Sequence, residues 1–328
     1  MEDGLQNKID SIQILRFLAA FSVMMVHLPL FGFGAWGVDI FFVISGFIMM
    51  YVTESNERNF LVKRIIRIVP LYWMLTMGVF SIAIFFPNLL NNTSANLEHL
   101  IKSLFFIPFD KNGTGHFPIL FLGWTLNFEV IFYLLFSISL FVSKKNRLIL
   151  CTSLIILFLF SNFLLSKKNF IFSTYYEFIF LEFIFGMVAF IIWNKLKNKI
   201  TNNFFNHFIF FLIIFVVAII LSNLNFIRVI HYGIFSFALL IYFLFFLNNL
   251  KFPKTLVSLG DASYCMYLLH PYIVQFFYKI FKLDSYNFLL QSVFTLIIII
   301  LVCLISILIY NFIEKPINKN LRKKLINT

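Results

Sequence analysis

Charged residues are scarce in this sequence: Asp, Glu, Lys and Arg make up 12% of its 328 residues, whereas hydrophobic residues make up 61%. A water-soluble fold covers its surface with polar side chains, and 26 basic and 14 acidic residues cannot do that beside 49 phenylalanines. The composition therefore excludes soluble enzymes and soluble DNA-binding domains. It predicts a protein embedded in a lipid bilayer.

Cysteine is scarce as well. The three cysteines, Cys151, Cys265 and Cys303, lie within or at the ends of apolar stretches and share no C-x-x-C spacing. Neither a disulfide framework nor a zinc site is predicted, and no metal cofactor is expected. The short alternating segments typical of barrel strands are also missing, which favours helices as the membrane-spanning elements.

Apolar runs divide the chain into ten candidate membrane crossings, if about 17 to 25 residues make one crossing and the shorter runs extend by a few residues. They cover residues 11–28, 36–52, 68–86, 119–142, 148–165, 178–193, 208–222, 229–247, 263–281 and 288–312. The predicted fold class is therefore all-α, a polytopic integral membrane protein with about ten transmembrane helices. An even number of crossings places both termini on the same side.

The distribution of basic residues predicts the orientation. With both termini in the cytoplasm, the inner segments hold 18 Lys and Arg residues and the outer segments hold 7, while Arg16 lies inside the first helix. This asymmetry follows the positive-inside rule. It accounts for most of the formal net charge of +12, so no nucleic-acid partner is expected. We predict a transmembrane domain over residues 1–312 and a basic cytoplasmic tail over 313–328.

Ionisable residues inside the first two helices are costly unless they have a partner or a function. Arg16 and His27 are eleven residues apart, which places both on one face of a helix with about 16 Å between them along the axis. Arg16 could instead snorkel to the interface, and His27 could be a packing histidine. Asp39 follows the turn after the first helix, so we expect it at the level of His27, where it could orient the imidazole or cap the second helix.

A basic cluster precedes the third apolar run. Arg64 and Arg67 are three residues apart on a helix and face the same way, with Lys63 beside them. Guanidinium groups bind phosphate through two parallel hydrogen bonds, so this pair is a candidate site for a nucleotide-bearing donor. Basic residues are also expected here from topology alone.

Further polar residues lie in later helices. Glu129 is expected about one turn into the membrane and needs a cationic or hydrogen-bonding partner. Tyr264, Tyr267 and His270 lie together in the ninth run, where His270 precedes Pro271 and could simply pack or cap.

The combined pattern resembles the acyltransferase 3 family of integral membrane acyltransferases over nearly the whole chain. The resemblance is carried by Ile14-Leu15-Arg16 followed by His27, GVDIFFVISG at 37–46, FLVKRIIRIVPLYW at 60–73, WTLNFEVIFY at 124–133, residues 263–270 and Glu314-Lys315-Pro316. Ser45 and Trp124, which stand within these motifs, are further candidate site residues. The order and spacing of the motifs make the resemblance specific.

Membership would imply transfer of an acyl group, commonly acetyl, from a cytoplasmic acyl-coenzyme A to a hydroxyl of a cell-surface polysaccharide or other glycan. The resemblance implies that His27 and Arg16 are catalytic, that Arg64 and Arg67 hold the coenzyme phosphates, and more weakly that Asp39 and Glu129 take part. The expected location is the bacterial cytoplasmic membrane, surrounded by lipid. Without a fused hydrolase-like domain, the glycan or lipid-linked glycan acceptor is expected to reach the membrane domain itself or to need a separate extracytoplasmic transfer protein.

As chemistry, His27 would remove the acceptor proton while the hydroxyl attacks the thioester, with Asp39 or Glu129 orienting the ring and Arg16 stabilising negative charge. An acyl-histidine relay is the other admissible route. A transporter or flippase of a polar lipid or glycan is the alternative function, because it would use the same intramembrane charges as a substrate path.

Overall fold

The computed structural model describes residues 9–91, 93–110, 117–167, 169–175, 177–198, 207–212, 216 and 228–326. In these ranges the chain is helical and contains no β-strand, as predicted. The helices are α1 (Asp10–His27), α2 (Gly37–Ser55), α3 (Phe60–Phe85), α4 (Leu97–Leu104), α5 (Trp124–Val142), α6 (Arg147–Leu165), α7 (Phe170–Tyr175), α8 (Phe180–Leu196), α9 (Ile234–Phe245), α10 (Lys254–Asp261), α11 (Ser263–Phe281), α12 (Phe288–Ile309) and α13 (Lys315–Leu325).

Within the described residues, seven helical stretches are long and apolar enough to cross a membrane, so the chain is a multi-pass membrane protein. They are Asp10–His27, Gly37–Ser55, Phe60–Phe85, Phe121–Val142, Arg147–Leu165, Phe170–Leu196 and Phe288–Leu325. Of the other three predicted crossings, 208–222 lies largely outside the described residues. The next, 229–247, is a shorter apolar helix, Val229–Phe245, and the third is α11, whose bounds match the prediction. The total of ten and the orientation of the termini stay predictions.

Helix α3 begins eight residues earlier than hydropathy predicts, at Phe60 rather than at residue 68. The charged residues at its start hide this extension from a hydropathy pattern. As a result Lys63, Arg64 and Arg67 lie within the first turns of a helix, where their backbone positions are fixed.

Helices α2 and α8 make the most extensive contact of any helix pair in the part of the chain that the structure describes. A methyl group added to Gly46 would overlap the carbonyl of Phe183, and one added to Gly186 would overlap the carbonyl of Val43. Small residues at such crossings let helix backbones approach closely in a membrane, where lipid supplies no hydrophobic force between helices. Asp39 and Ser45 lie on α2, and Glu182 lies on α8, so this crossing fixes the spacing of their backbones.

The turn between α1 and α2 contains the glycines of a literal G-x-G-x-x-G. Gly32 and Gly34 have positive φ angles of 69° and 112°, which favour glycine. A Cβ on Gly34 would overlap the Ser22 backbone, and one on Gly37 would overlap the Ala19 carbonyl. Close packing of α2 on α1 explains Gly34 and Gly37, and the positive φ angle explains Gly32. The helix–turn–helix geometry is not that of a dinucleotide-binding fold.

Loops on the side of the chain that carries the start of α3 are tied together by ion pairs. Lys144 Nζ lies 2.7 Å from Glu57 Oε2, and its hydrogen bond lowers the pKa of the exposed Glu57 carboxyl. The buried Arg147 donates to Glu54 Oε2 at 2.5 Å and to the Met50 carbonyl at 3.3 Å. These contacts join the ends of α2, α5 and α6.

Two π-helical turns interrupt the α-helical pattern. One, Val229–Gly233, leads into α9, and the other, Tyr310–Glu314, joins α12 to α13. A π turn accommodates one extra residue relative to an α-helical turn, and such turns are frequent at functional sites. After the second π turn, α13 packs against α3, which brings the C-terminal part of the described chain to the arginine pair.

Candidate active site

A cavity of about 110 Å³ lies among α1, α2, α3, α5 and α11. We call it the arginine cavity because three arginines face it. Its polar lining consists of Arg16, Ser45, Arg64, Arg67, Thr125, Glu129, Tyr133, Tyr264 and Tyr267, and its apolar lining comes mainly from α2. Seven of the twelve residues predicted from sequence therefore share one cavity.

The three arginines differ in their partners. Arg67 Nη1 donates to Glu314 Oε1 at 2.7 Å, and the Glu314 side chain is 1% exposed. Arg64 stands 5.9 Å from the centre of the Phe60 ring, and its buried Nε has no hydrogen-bond partner among the described residues. Arg16 likewise has no ion-pair partner in the described part of the chain. Two positive charges are thus left for a ligand.

The carboxylate in the cavity is held by neutral donors. Ser45 Oγ donates to Glu129 Oε1 at 2.9 Å, and the hydroxyl of Tyr133 donates to the same oxygen. Neither donor neutralises the negative charge, so Glu129 remains an acceptor in a cavity that otherwise holds cations. The sequence predicted a hydrogen-bonding or cationic partner for Glu129, and the structure supplies the former.

The two predicted histidines meet although they are 243 residues apart. His27 lies at the end of α1 and His270 in the middle of α11. Their nearest ring nitrogens, His27 Nδ1 and His270 Nε2, are 3.2 Å apart, and the ring centres are 5.0 Å apart. Phe121 covers the His27 ring edge-on at 6.0 Å. We call these two residues the histidine pair.

Tyr267 connects the arginine cavity to the histidine pair. Its ring lines the cavity, and its centre lies 6.4 Å from that of His270, one helical turn further along α11. Its hydroxyl lies 3.1 Å from Thr125 Oγ1, and both hydroxyls are within 3.4 Å of the Leu122 carbonyl. The site therefore has an arginine end and a histidine end, with Tyr267 and Thr125 between them.

Asp39 does not reach the histidine pair. Its fully buried carboxylate accepts two hydrogen bonds from Arg228, from Nε at 3.0 Å and from Nη2 at 2.7 Å. The structure therefore pairs Asp39 with Arg228 rather than with His27, and a common level of Asp39 and His27 in the membrane stays a prediction. Its side chain is turned toward α8, where the buried Glu182 lies beside it with neither oxygen bonded to a donor among the described residues.

Lys63 and Trp124 lie outside the lining of the arginine cavity, whereas Tyr264 is part of it. Lys63 is on α3 next to Arg64 but does not line the cavity. Trp124 begins α5, and its ring packs edge-on against Phe128 at 5.9 Å. Tyr264 lines the cavity, donates to the Ile68 carbonyl at 3.0 Å and stacks under Arg67.

The sequence did not identify the partners of these residues. A basic residue beside an apolar run is the available signal for Arg228, the partner of Asp39. Glu314 stands in the Glu314-Lys315-Pro316 motif, and Tyr133 lies one turn after Glu129 on the same helix face, which is the signal for their hydrogen bond.

Comparison with known proteins decides the family. A family model described as an acyltransferase domain matches residues 9–311, a range that includes the histidine pair and the whole lining of the arginine cavity. The chain belongs to this acyltransferase family. The resemblance drawn from the sequence motifs is thereby confirmed.

Curated relatives are similar to this acyltransferase-domain chain over stretches of different length. The exopolysaccharide production protein ExoZ of Rhizobium meliloti (strain 1021) is 39% identical over 171 residues, which are 50% of this chain and 53% of ExoZ. The peptidoglycan O-acetyltransferase OatA of Listeria monocytogenes is 30% identical over 158 residues, 42% of this chain and 25% of OatA. ORF330 of Acidianus two-tailed virus is 24% identical over 279 residues, 78% of this chain and 80% of that protein. The chain thus spans about half the length of ExoZ. No solved structure matches it.

Proposed function

We propose that this acyltransferase-domain protein is a membrane-bound O-acyltransferase, which transfers an acyl group, acetyl in the first instance, from acyl-coenzyme A to a hydroxyl of a cell-surface polysaccharide or other glycan. The observation that carries the proposal is the joining of a cationic cavity to a histidine pair within the family domain. The arginine end suits an anionic acyl donor, and the histidine end suits a proton transfer. The membrane in question is the bacterial cytoplasmic membrane.

The donor would bind at the arginine end. Arg64 offers a buried Nε without a partner, and Arg16 faces the same cavity without an ion pair among the described residues. Both groups are charged donors that suit phosphate oxygens. Arg67 would contribute less charge, because Glu314 neutralises it. Lys63 adds a cation at the entrance, on the predicted cytoplasmic side where coenzyme A is found.

The acyl group would be transferred at the histidine end. The acceptor oxygen attacks the thioester carbonyl as its proton moves to His27 Nε2, the carbon–sulfur bond breaks, and the proton passes from His27 to the departing thiolate. An ester and the free thiol result, and His27 returns to its neutral form. Arg16 would stabilise the negative charge that develops along this route. An acyl-histidine relay would use the same nitrogen as the nucleophile.

The two acids would have supporting roles. Glu129, held by Ser45 and Tyr133, would repel a misplaced phosphate and keep the donor's phosphates on the arginines. Asp39 would hold Arg228 and thereby the start of α9 against α2. A separate extracytoplasmic protein could complete delivery to a glycan that does not reach the membrane.

The first experiment measures transfer of label from isotopically labelled acetyl-coenzyme A to envelope glycan, in membranes that carry the wild type or His27→Ala at equal, verified abundance. We expect label in the glycan with the wild type and a loss of at least about 100-fold with His27→Ala. His207→Ala, a histidine outside the site, is the matched control and should keep full transfer. Equal labelling by wild type and His27→Ala would contradict the mechanism.

A second arm separates the enzyme from the transporter alternative. The purified protein should release free thiol from acetyl-coenzyme A when a glycan acceptor is present. Movement of glycan or lipid across vesicles without release of thiol would instead establish a transporter or flippase. Comparing acetyl with succinyl donors identifies the acyl group.

A further inference from the structure

His270 is buried without a role in the chemistry described so far. Its side chain is fully enclosed, at 0% exposure, in the middle of α11, and it contacts His27 rather than the arginine cavity. A second imidazole beside a base constrains the tautomer of that base, because the hydrogen bond between two adjacent rings depends on which nitrogen of each ring carries the proton.

The position of the proton on His270 follows from its neighbours. Its Nδ1 lies 3.0 Å from the carbonyl oxygen of Met266, which can only accept. Pro271 follows in the helix without an N–H, so the carbonyl of Tyr267 also lacks its usual helical donor. Both features favour a proton on Nδ1. His270 Nε2 is then an unprotonated acceptor, directed at His27.

The proton on His27 is placed by the same reasoning. Its Nδ1 lies 2.9 Å from the carbonyl oxygen of Val23 and 3.2 Å from His270 Nε2, and both of these groups accept. One N–H shared between the two acceptors satisfies the arrangement, whereas a proton on His27 Nε2 would leave two acceptors facing a lone pair. His27 Nε2 is therefore unprotonated and available to a substrate.

We infer that His270 is a positioning residue, which holds His27 in the tautomer and ring orientation that leave Nε2 as the base. The inference rests on the proposed function. During transfer, the acceptor hydroxyl gives its proton to His27 Nε2 and the proton then goes to the thiolate, while the Nδ1 proton stays on His27 and His270 remains neutral. The hydrogen bond to His270 Nε2 stabilises the transient imidazolium, a role in which a carboxylate serves in other enzymes.

Neither acid considered for this role is placed to fill it. The Asp39 carboxylate is engaged by Arg228, and Glu129 accepts from Ser45 and Tyr133 in the arginine cavity. Among the described residues, His270 and the Val23 carbonyl are the partners of His27 Nδ1.

The test compares two substitutions of His270 in the full-length protein. In His270→Gln, Oε1 is as many bonds from Cα as Nε2 was and can accept the same hydrogen bond, whereas His270→Leu offers no acceptor. We expect His270→Leu to lower kcat about 100-fold with the KM for acetyl-coenzyme A unchanged within about twofold. His270→Gln should stay within about tenfold of the wild-type kcat.

Two further variants separate positioning from folding. Val274→Ala removes a buried side chain from the same helix and should keep kcat within about twofold. The double variant of His27→Ala and His270→Leu should transfer no more slowly than His27→Ala alone, because His270 acts through His27. Equal abundance and equal thermal denaturation in detergent are required of each variant that is compared.

The inference is overturned if His270→Leu keeps wild-type kcat, if His270→Gln is as impaired as His270→Leu at equal folded abundance, or if the double variant multiplies the two losses. These results differ from failure of the proposed function, in which His27→Ala itself has no effect. Loss of transfer in His27→Ala together with normal transfer in His270→Leu would exclude the positioning role of His270 and leave the proposed role of His27 in place.

Discussion

Two clusters of buried charge lie within a few helical turns of each other, and they differ in how their charges are matched. At the α2–α8 crossing, Asp39 is fully buried and takes both hydrogen bonds that the Arg228 fork can offer it. In the arginine cavity, three arginines face two acids, Glu129 and Glu314. Asp39 and Arg228 match each other, although Glu182 beside them has no donor among the described residues, whereas in the second cluster Arg16 and Arg64 have no ion-pair partner there.

The difference assigns separate roles to residues that look alike in the sequence. A buried charge costs free energy unless it is paired, so a protein keeps an unpaired one only where a ligand supplies the partner. The paired cluster should therefore matter to the folded state and the unpaired cluster to the donor. Substitutions in the two clusters can separate these roles.

The largest effect on folding is expected from Asp39→Asn. Loss of the carboxylate charge removes the charge-assisted hydrogen bonds to Arg228, whose side chain is 40% exposed, and should destabilise the protein by about 2 kcal/mol. Thermal denaturation in detergent measures the loss, with the exposed Asp284→Asn as the control. If Asp39→Asn denatures at the wild-type temperature but loses transfer, Asp39 belongs with the catalytic residues after all.

Arg64→Ala should weaken binding of the donor and leave folding unchanged. Removal of a charged donor to phosphate costs about 2 kcal/mol of binding, so the KM for acetyl-coenzyme A should rise about 30-fold while the denaturation temperature stays the same. Arg58→Ala, an exposed arginine just before α3, is the matched control for charge. An unchanged KM in Arg64→Ala would show that the donor phosphates bind elsewhere.

Gly46→Ala tests whether close packing holds the paired cluster. The added methyl group would overlap the Phe183 carbonyl, and separating α2 from α8 should cost about 1 to 2 kcal/mol. Gly78→Ala is the control, since nothing lies within 4 Å of its Cβ position on α3. Equal denaturation temperatures for the two variants would mean that the crossing relaxes without cost.

The smallest effect on the KM, and one of opposite sign, is expected from Glu314→Gln. The amide keeps the shape of the partner but removes a negative charge beside Arg67, so the cavity becomes more cationic and the KM for the donor should fall about threefold. Because this ion pair is buried, its loss should also lower the denaturation temperature. Glu98→Gln, an exposed acid on α4, is the control. A rise in KM would indicate that Glu314 instead holds Arg67 in the position that the phosphates need.

The helices were largely predictable, and their rotations were not. Apolar runs gave α1, α2 and α6 within about three residues, because the length of a run reports directly on a membrane crossing. The same pattern missed the start of α3, where arginines replace apolar residues in the first turns. Hydropathy measures the free energy of transfer into lipid. It therefore does not detect a helical segment whose charged side chains are matched by an ion pair or a ligand.

Long-range pairings lay beyond the sequence for a similar reason. Asp39 and Arg228 are 189 residues apart, and Arg67 and Glu314 are 247 apart. Position along a helix sets the depth of a side chain, and a common level of Asp39 and His27 is all that the sequence predicts for this pair. Which neighbour a side chain faces depends on helix rotation, which the packing of several helices decides together.

The π turn at Tyr310–Glu314 gives length changes a special meaning in this chain. Because each residue turns an α-helix by about 100°, a one-residue deletion within a regular helix rotates everything after it, whereas a deletion in this π turn is absorbed when the turn becomes regular α-helix. When relatives are aligned, a one-residue gap at this place is therefore compatible with a carboxylate beside the arginine pair. A one-residue gap within α13 or within the regular turns of α12 is not.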